Sequence, residues 1–241
     1  MVDLHMHILP GLDDGAETVE DAVEMAQIAV DCGTEVCAAT SHGRFAREET
    51  GEYLARYKMA LEQFRRELSE RGIALEVHSG MELLADENLL RYARSHPLPG
   101  YGGGRYILTE FYFDISMNRA LETLGSLKRK GYHIVLAHPE RYDFIKRNPE
   151  NAYTLYREGV ILQVNAGSIE GKFGRGAFRA ADRILGEGLA GLVASDAHDA
   201  FVRTPDMEET ARILDLYYGS DASEILLEEN PRRILEGKNI R

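Results

Sequence analysis

The sequence is poor in cysteine, in positive charge and in long apolar runs. Cys32 and Cys37 are the only cysteines in 241 residues. Two are too few for the disulfide framework of a secreted domain, and they read as buried free thiols between a helix end and a strand. A cysteine-dependent phosphatase needs a thiolate followed by a short anion-cradling loop and an arginine. Cys37 and Arg44 are separated by Ala-Ala-Thr-Ser-His-Gly, one residue too long and nearly free of glycine, which closes that route. No apolar run approaches the ~18–20 residues needed to span a bilayer, and Asp3, His5 and His7 stand where a signal peptide has its apolar core. The expectation is a cytoplasmic protein without membrane insertion. Lys and Arg number 28 against 40 Asp and Glu, a formal charge of −12 that disfavours a sequence-indifferent grip on nucleic acid or anionic lipid. Any phosphate ligand therefore needs a local positive site.

Hydrophobic residues at 44% and charged residues at 28% are ordinary globular usage. No Gly-, Pro- or Ser-rich linker divides the chain, so one domain over residues 1–241 is expected. Short β-rich runs alternate with longer helical periods, the pattern of βα units around a parallel sheet. Seven strands are expected, at Val2–His7, Glu35–Thr40, Ile73–Ser79, Arg105–Phe111, Tyr132–Ala137, Val160–Asn165 and Ala190–Ser195. The first helix is expected to start at Thr18, with Asp21 at its positive end and Gly33 as its stop. In the second, Leu54, Tyr57, Leu61, Phe64 and Leu68 form one apolar stripe that Gly72 ends. Asn230-Pro231 reads as a cap and first-turn proline of a last short helix.

Periodicity does not choose between an open doubly wound sheet and a closed barrel; the placement of polar residues does. Five of the eight histidines, namely His5, His7, His42, His138 and His198, fall at or just after expected strand ends, as do Glu82, Glu110 and Asp196. In a barrel those ends converge on one face, where βα loops build active sites. Five imidazoles and three carboxylates packed together without a cation would leave polar groups crowded and poorly satisfied. Imidazole with carboxylate and no thiolate suits Zn, Mn, Fe or Ni, and eight ligands exceed one tetrahedral ion, which implies two or three sharing bridging carboxylates. The remaining histidines are assigned no such role: His78 and His133 lie inside strands, and His96 precedes Pro97 in a turn. Gly102-Gly103-Gly104 precedes a strand instead of joining a strand to a helix, so it is read as a turn and not a phosphate loop.

Four segments carry a family resemblance: Asp3 through Gly15, Ala137-His138-Pro139-Glu140-Arg141-Tyr142, Gln163 through Ser168, and Ser195-Asp196-Ala197-His198. Together they resemble the bacterial manganese-dependent protein-tyrosine phosphatases of capsule and exopolysaccharide loci, within the polymerase and histidinol phosphatase (PHP) superfamily. The resemblance runs to about Arg203. It implies an α/β fold, a distorted seven-stranded TIM-like (β/α) barrel of PHP type, with a trinuclear centre. The implied ligands are His5, His7, His42, Glu82, Glu110, His138, Asp196 and His198, with Glu82 bridging. The implied phosphate-binding groups are Arg141 and Arg203. The implied cofactors are two or three divalent ions, Mn foremost, with Fe, Zn, Mg or Ni as substitutes. Members usually carry a second histidine after the one matching His42, where this chain has Gly43-Arg44. Asp14 reads as a cap of the first helix in preference to a contact with a metal-bound water.

The implied activity is hydrolysis of a phosphotyrosine protein by metal-activated hydroxide, with proton delivery from a metal-bound water or the neighbourhood of His198. The implied partner is the tyrosine-rich tail of a bacterial tyrosine kinase. The alternatives at this stage are a small phosphomonoesterase such as a histidinol-phosphate phosphatase, a nuclease-like phosphodiesterase, and a metal-binding scaffold without turnover. An amidohydrolase is disfavoured, because Glu110 stands where those enzymes commonly place a lysine.

Overall fold

In the computed structural model, which describes residues 1–43, 45 and 50–241, strand pairing is parallel throughout. Three strands form one sheet in the order β1 (Val2–Met6), β2 (Val36–Ala39), β4 (Glu76–Ser79). Six form the other: β3 (His42–Gly43), β5 (Glu82–Leu84), β6 (Tyr106–Glu110), β7 (His133–Ala137), β8 (Ile161–Asn165) and β9 (Ala190–Ala194). Each expected strand has a counterpart, but the described residues form nine strands in two sheets and not one seven-stranded closed barrel.

The difference arises just beyond the ends of two expected strands, where β3 and β5 were not expected. Between β2 and β3, the Thr40 hydroxyl accepts from the Met6 N–H at 2.8 Å, taking the place of a ladder partner. Between β4 and β5, the Tyr57 hydroxyl accepts from the Gly80 N–H at 3.0 Å and donates to the Ala39 carbonyl at 2.8 Å. A side chain at position 80 would come within 3.0 Å of Thr40 and 3.2 Å of Tyr101, so glycine suits this crossing. Beyond these points the chain re-pairs as β3 and β5 in the other sheet. At the seam, the Asp196 N–H donates to the His5 carbonyl at 2.8 Å and the His7 N–H to the Ala197 carbonyl at 2.9 Å. Val2 and Leu4, Val36 and Ala38, Val135 and Ala137 are alternate residues from both sheets, and they pack into one apolar cluster with Tyr101.

Helices cover the strands as burial of a parallel sheet requires. The first, α1 (Val19–Asp31), opens on the expected Thr18, whose hydroxyl accepts from the Asp21 N–H while the Asp21 carboxylate accepts from the Thr18 N–H. Gly33 follows it at φ 87°. The second, α2 (Thr50–Arg71), buries Tyr57, Leu61, Phe64 and Leu68 of the expected stripe, with Tyr53 buried beside them and Leu54 only half-buried; Leu61, Phe64 and Leu68 are each worth roughly 1.5–3 kcal/mol when taken fully out of water.

The expectation for Asn230 is corrected. Ala222–Glu224, Ile225–Glu229 and Asn230–Leu235 follow one another as continuous helical backbone, with Asn230 itself at φ −64°. Its buried amide instead donates to the Gly191 carbonyl of β9 at 2.8 Å and accepts from the Arg241 N–H at 2.9 Å.

Candidate metal centre

His5, His7, Glu110, His138, Asp196 and His198 stand at or just after the C-terminal ends of their strands, whereas His42 and Glu82 open the short strands β3 and β5 that follow β2 and β4; the pairing register brings them to one place. His42 of β3 pairs directly with Glu82 of β5, and Leu84 with Glu110 of β6. His5 Nε2 lies 3.2 Å from His7 Nε2 and 3.4 Å from both Glu82 Oε1 and Asp196 Oδ1. His138 Nε2 is 3.0 Å from Glu82 Oε1, His7 Nε2 is 3.3 Å from Glu82 Oε2, and His42 Nδ1 is 3.0 Å from both Glu82 Oε2 and Glu110 Oε1. Glu82 thus faces four imidazoles. The His7 and His198 rings lie 3.9 Å apart. Four overlapping sets of potential ligands, each with donor atoms within 4.8 Å of one another, together include all eight expected residues.

They also include a ninth. Asp14 does not cap the first helix, because Thr18 does; its Oδ1 lies 3.3 Å from His42 Nε2 and 3.7 Å from His198 Nε2. Two of the site residues hold a left-handed backbone, His138 at φ 38° and Asp196 at φ 54°. Such conformations cost of order 1–3 kcal/mol and cluster at functional sites.

A chain of amides fixes one imidazole. The Asp196 carboxylate accepts from Asn165 Nδ2 at 2.6 Å, so Asn165 Oδ1 faces away and accepts from Gln163 Nε2 at 2.8 Å. Gln163 Oε1 is then left facing His5 Nδ1 at 2.8 Å, which makes Nδ1 the donor. On His7, Nδ1 is likewise committed to Asp13 Oδ2 at 2.8 Å, and on His198 to the Asp196 carbonyl at 3.0 Å. The Nε2 atoms of all three rings are thereby turned toward the cluster, the arrangement of metal-binding histidines whose far nitrogen is held by an outer partner.

The electrostatics match. Burial opposes charge on His7, yet hydrogen bonds to Asp13 and Glu82 raise it to about 9. Burial is likewise overridden on His42 by Glu110 and Glu82, which raise it to about 11. Burial and the neighbouring His7 lower His198 to about 3. Burial would raise Glu82 and Asp196, but the surrounding imidazoles, with Arg203 beside Asp196, hold both carboxyls well down. The buried carboxylates of Glu82 and Asp196 therefore demand positive charge beside them. His5 and His7 present ring nitrogens to one another at 3.2 Å with their other nitrogens already bonded, and His138 Nδ1 is buried without a hydrogen-bond partner among the described residues. This donor set fits divalent cations, which take up lone pairs and charge together.

The two arginines flank the cluster. Arg203 Nη2 is 2.6 Å and Arg141 Nη1 3.4 Å from Asp196 Oδ2, the oxygen turned away from the imidazoles. The Arg141 guanidinium lies between two rings, 4.6 Å from the centroid of Phe113 and 4.5 Å from that of Phe173. Sequence reasoning assigned no role to Asp13, Gln163, Asn165, Phe113 or Phe173. Gln163 and Asn165 carried a signal, two polar residues on one face of an otherwise apolar strand. Asp13 and the two phenylalanines carried none. Arg44 lies outside the described residues. His78, ion-paired to Glu76, His96, stacked on Tyr92, and His133, stacked on Tyr106, stand apart from the cluster as expected. Cys37 is buried and its thiol pushed far up by burial, while Cys32, half-buried, is pushed up to about 11. Neither is a thiolate at neutral pH.

Comparison with known proteins agrees with this geometry. The tyrosine-protein phosphatase YwqE of Bacillus subtilis is 33% identical over 100% of this chain and 93% of its own length. The tyrosine-protein phosphatase CpsB of Streptococcus agalactiae is 27% identical over the whole of both chains. A chain from the crystal structures of YwqE from Bacillus subtilis and CpsB from Streptococcus pneumoniae, described as unique metal-dependent tyrosine phosphatases, superposes with a TM-score of 0.90 at 33% identity, covering 100% of this chain and 96% of that one. The family model of capsular polysaccharide synthesis proteins, CpsB/CapC, matches residues 1–236. The chain belongs to the CpsB/CapC family.

Proposed function

We propose that this chain is a metal-dependent protein-tyrosine phosphatase, acting on the tyrosine-rich tail of a bacterial kinase of polysaccharide synthesis or export in the cytoplasm. The observation that carries the reading is the convergence of Arg141 and Arg203 on Asp196, at the edge of a buried cluster of imidazoles and carboxylates. The family resemblance adds a single PHP-type domain over residues 1–241, a distorted barrel, and manganese. His5, His7, His42, Glu82, Glu110, His138, Asp196 and His198, joined by Asp14, would hold two or three ions. Bound divalent ions supply Lewis acidity and bring the pKa of water from ~16 toward ~7.

The protein's own part is positioning and charge. The Phe113 and Phe173 rings, 4.6 and 4.5 Å from the Arg141 guanidinium, restrain it by cation–π contact. Arg141 and Arg203 together would clamp the phosphoryl oxygens by charge-assisted bonds and hold phosphorus in line for attack. His198, kept neutral with Nδ1–H committed to the Asp196 carbonyl, serves as ligand and not as the proton donor for the departing phenolate.

Turnover of a phosphotyrosyl peptide, histidinol phosphate and single-stranded DNA, measured with and without chelator, tests the reading. The phosphotyrosyl peptide is expected to have the highest kcat/KM, with chelation abolishing turnover. Faster hydrolysis of histidinol phosphate would make the protein a small-molecule phosphomonoesterase instead.

A further inference from the structure

The segment between His198 and Arg203 is a fixed turn with an apolar tip. The Asp199 carboxylate accepts from the backbone N–H groups of Phe201, Val202 and Arg203, and the His198 N–H donates to the Arg203 carbonyl at 2.8 Å. This turn holds Phe201 at 80% and Val202 at 74% exposure. Leaving two large apolar side chains in water on a rigid loop forgoes the usual gain of burial. Across from them stands Phe173, seated tightly on Gly167: a Cβ at position 167 would lie 2.8 Å from its ring. Phe173, Phe201 and Val202 line a pocket of about 360 Å³ whose other lining includes Arg203 and Ser195, the residue before Asp196. The pocket therefore runs outward from Arg203 past Phe173, Phe201 and Val202, with Glu170, Lys172 and Asp206 also in its lining.

We infer that this pocket is the subsite for the aryl ring of the substrate, held between Phe173 and the Phe201–Val202 turn while its phosphate meets Arg203 and Arg141. The occupant follows from the apolar side chains: a planar ring offers a large apolar face to Phe173, Phe201 and Val202, whereas the short methylene of a phosphoserine offers them little surface. The inference rests on the phosphatase reading, and it assigns discrimination between aromatic and aliphatic phosphates to three side chains that touch no metal-ligand candidate in the way the arginines do. Phe201 is exposed and unneeded for packing, so its removal leaves the fold and the arginines in place.

Calorimetric titration of the manganese-loaded protein with benzylphosphonate and, separately, with inorganic phosphate tests it, because binding is read without turnover. For Phe201→Ala with Val202→Ala, benzylphosphonate affinity is expected to fall about tenfold, the scale on which apolar pockets discriminate, with phosphate affinity unchanged. Unchanged benzylphosphonate binding in the double variant, or equal weakening of both ligands, would overturn the inference. A wild type that prefers benzylphosphonate but does not hydrolyse a phosphotyrosyl peptide would overturn the phosphatase reading and leave this subsite standing.

Discussion

Arg203 Nη2 lies 2.6 Å from Oδ2 of Asp196, while the other oxygen of that carboxylate faces His5 at 3.4 Å and His7 at 3.6 Å. One buried side chain thus joins the candidate cation site to the candidate anion site. Removing Arg203 should cost anion stabilisation and leave the cluster assembled. Arg203→Ala is expected to lower kcat/KM on a phosphotyrosyl peptide by about 100-fold, the usual cost of losing one transition-state donor, with metal content unchanged by elemental analysis. Loss of metal along with activity would show that the arginine holds the cluster and not the substrate.

The amide chain from Asp196 through Asn165 and Gln163 to His5 predicts a different phenotype. Gln163→Ala leaves His5 Nδ1 without its acceptor and frees the ring to turn. Metal affinity is expected to fall about 10–100-fold, as for other outer partners of ligating histidines, and excess metal should restore activity. A competition titration against a chelating dye reads this. Wild-type affinity in the variant would remove Gln163 from the support of the site.

Much of this was legible before the fold was known. His5-x-His7, His138, Asp196-x-His198 and Glu110 announced themselves by standing where apolar strands end, and helical spacing exposed the buried stripe of α2. What stayed hidden depends on tertiary contacts. The crossings at Thr40 and Gly80 come from hydroxyls replacing ladder partners, one of them donated by Tyr57 from α2, and no period in the sequence reports them. Asn230 was misread because Asn-Pro has the local chemistry of a cap, while its amide is used 39 residues away at Gly191. Asp14 was misread because its partners, His42 and His198, are supplied by other strand ends.

Asn230 gives a stability prediction free of the site chemistry. Asn230→Ala leaves the Gly191 carbonyl and the Arg241 N–H without their partner and should destabilise the protein by about 1–3 kcal/mol in urea unfolding. An unchanged midpoint would mean that solvent replaces both bonds at no cost.

The thiols predict indifference. Cys37 is buried and the thiols of both cysteines are pushed upward, so alkylation under native conditions is expected to leave phosphotyrosyl-peptide turnover unaltered. Inactivation that tracks modification of either cysteine would point to a thiol in the chemistry.

The most direct test strips the protein with a chelator and titrates manganese back while recording bound metal and phosphotyrosyl-peptide hydrolysis together. The account predicts no turnover in the stripped protein and recovery that continues beyond one ion bound per chain. Undiminished turnover without metal, or a protein that binds no ion at saturating manganese, would contradict it.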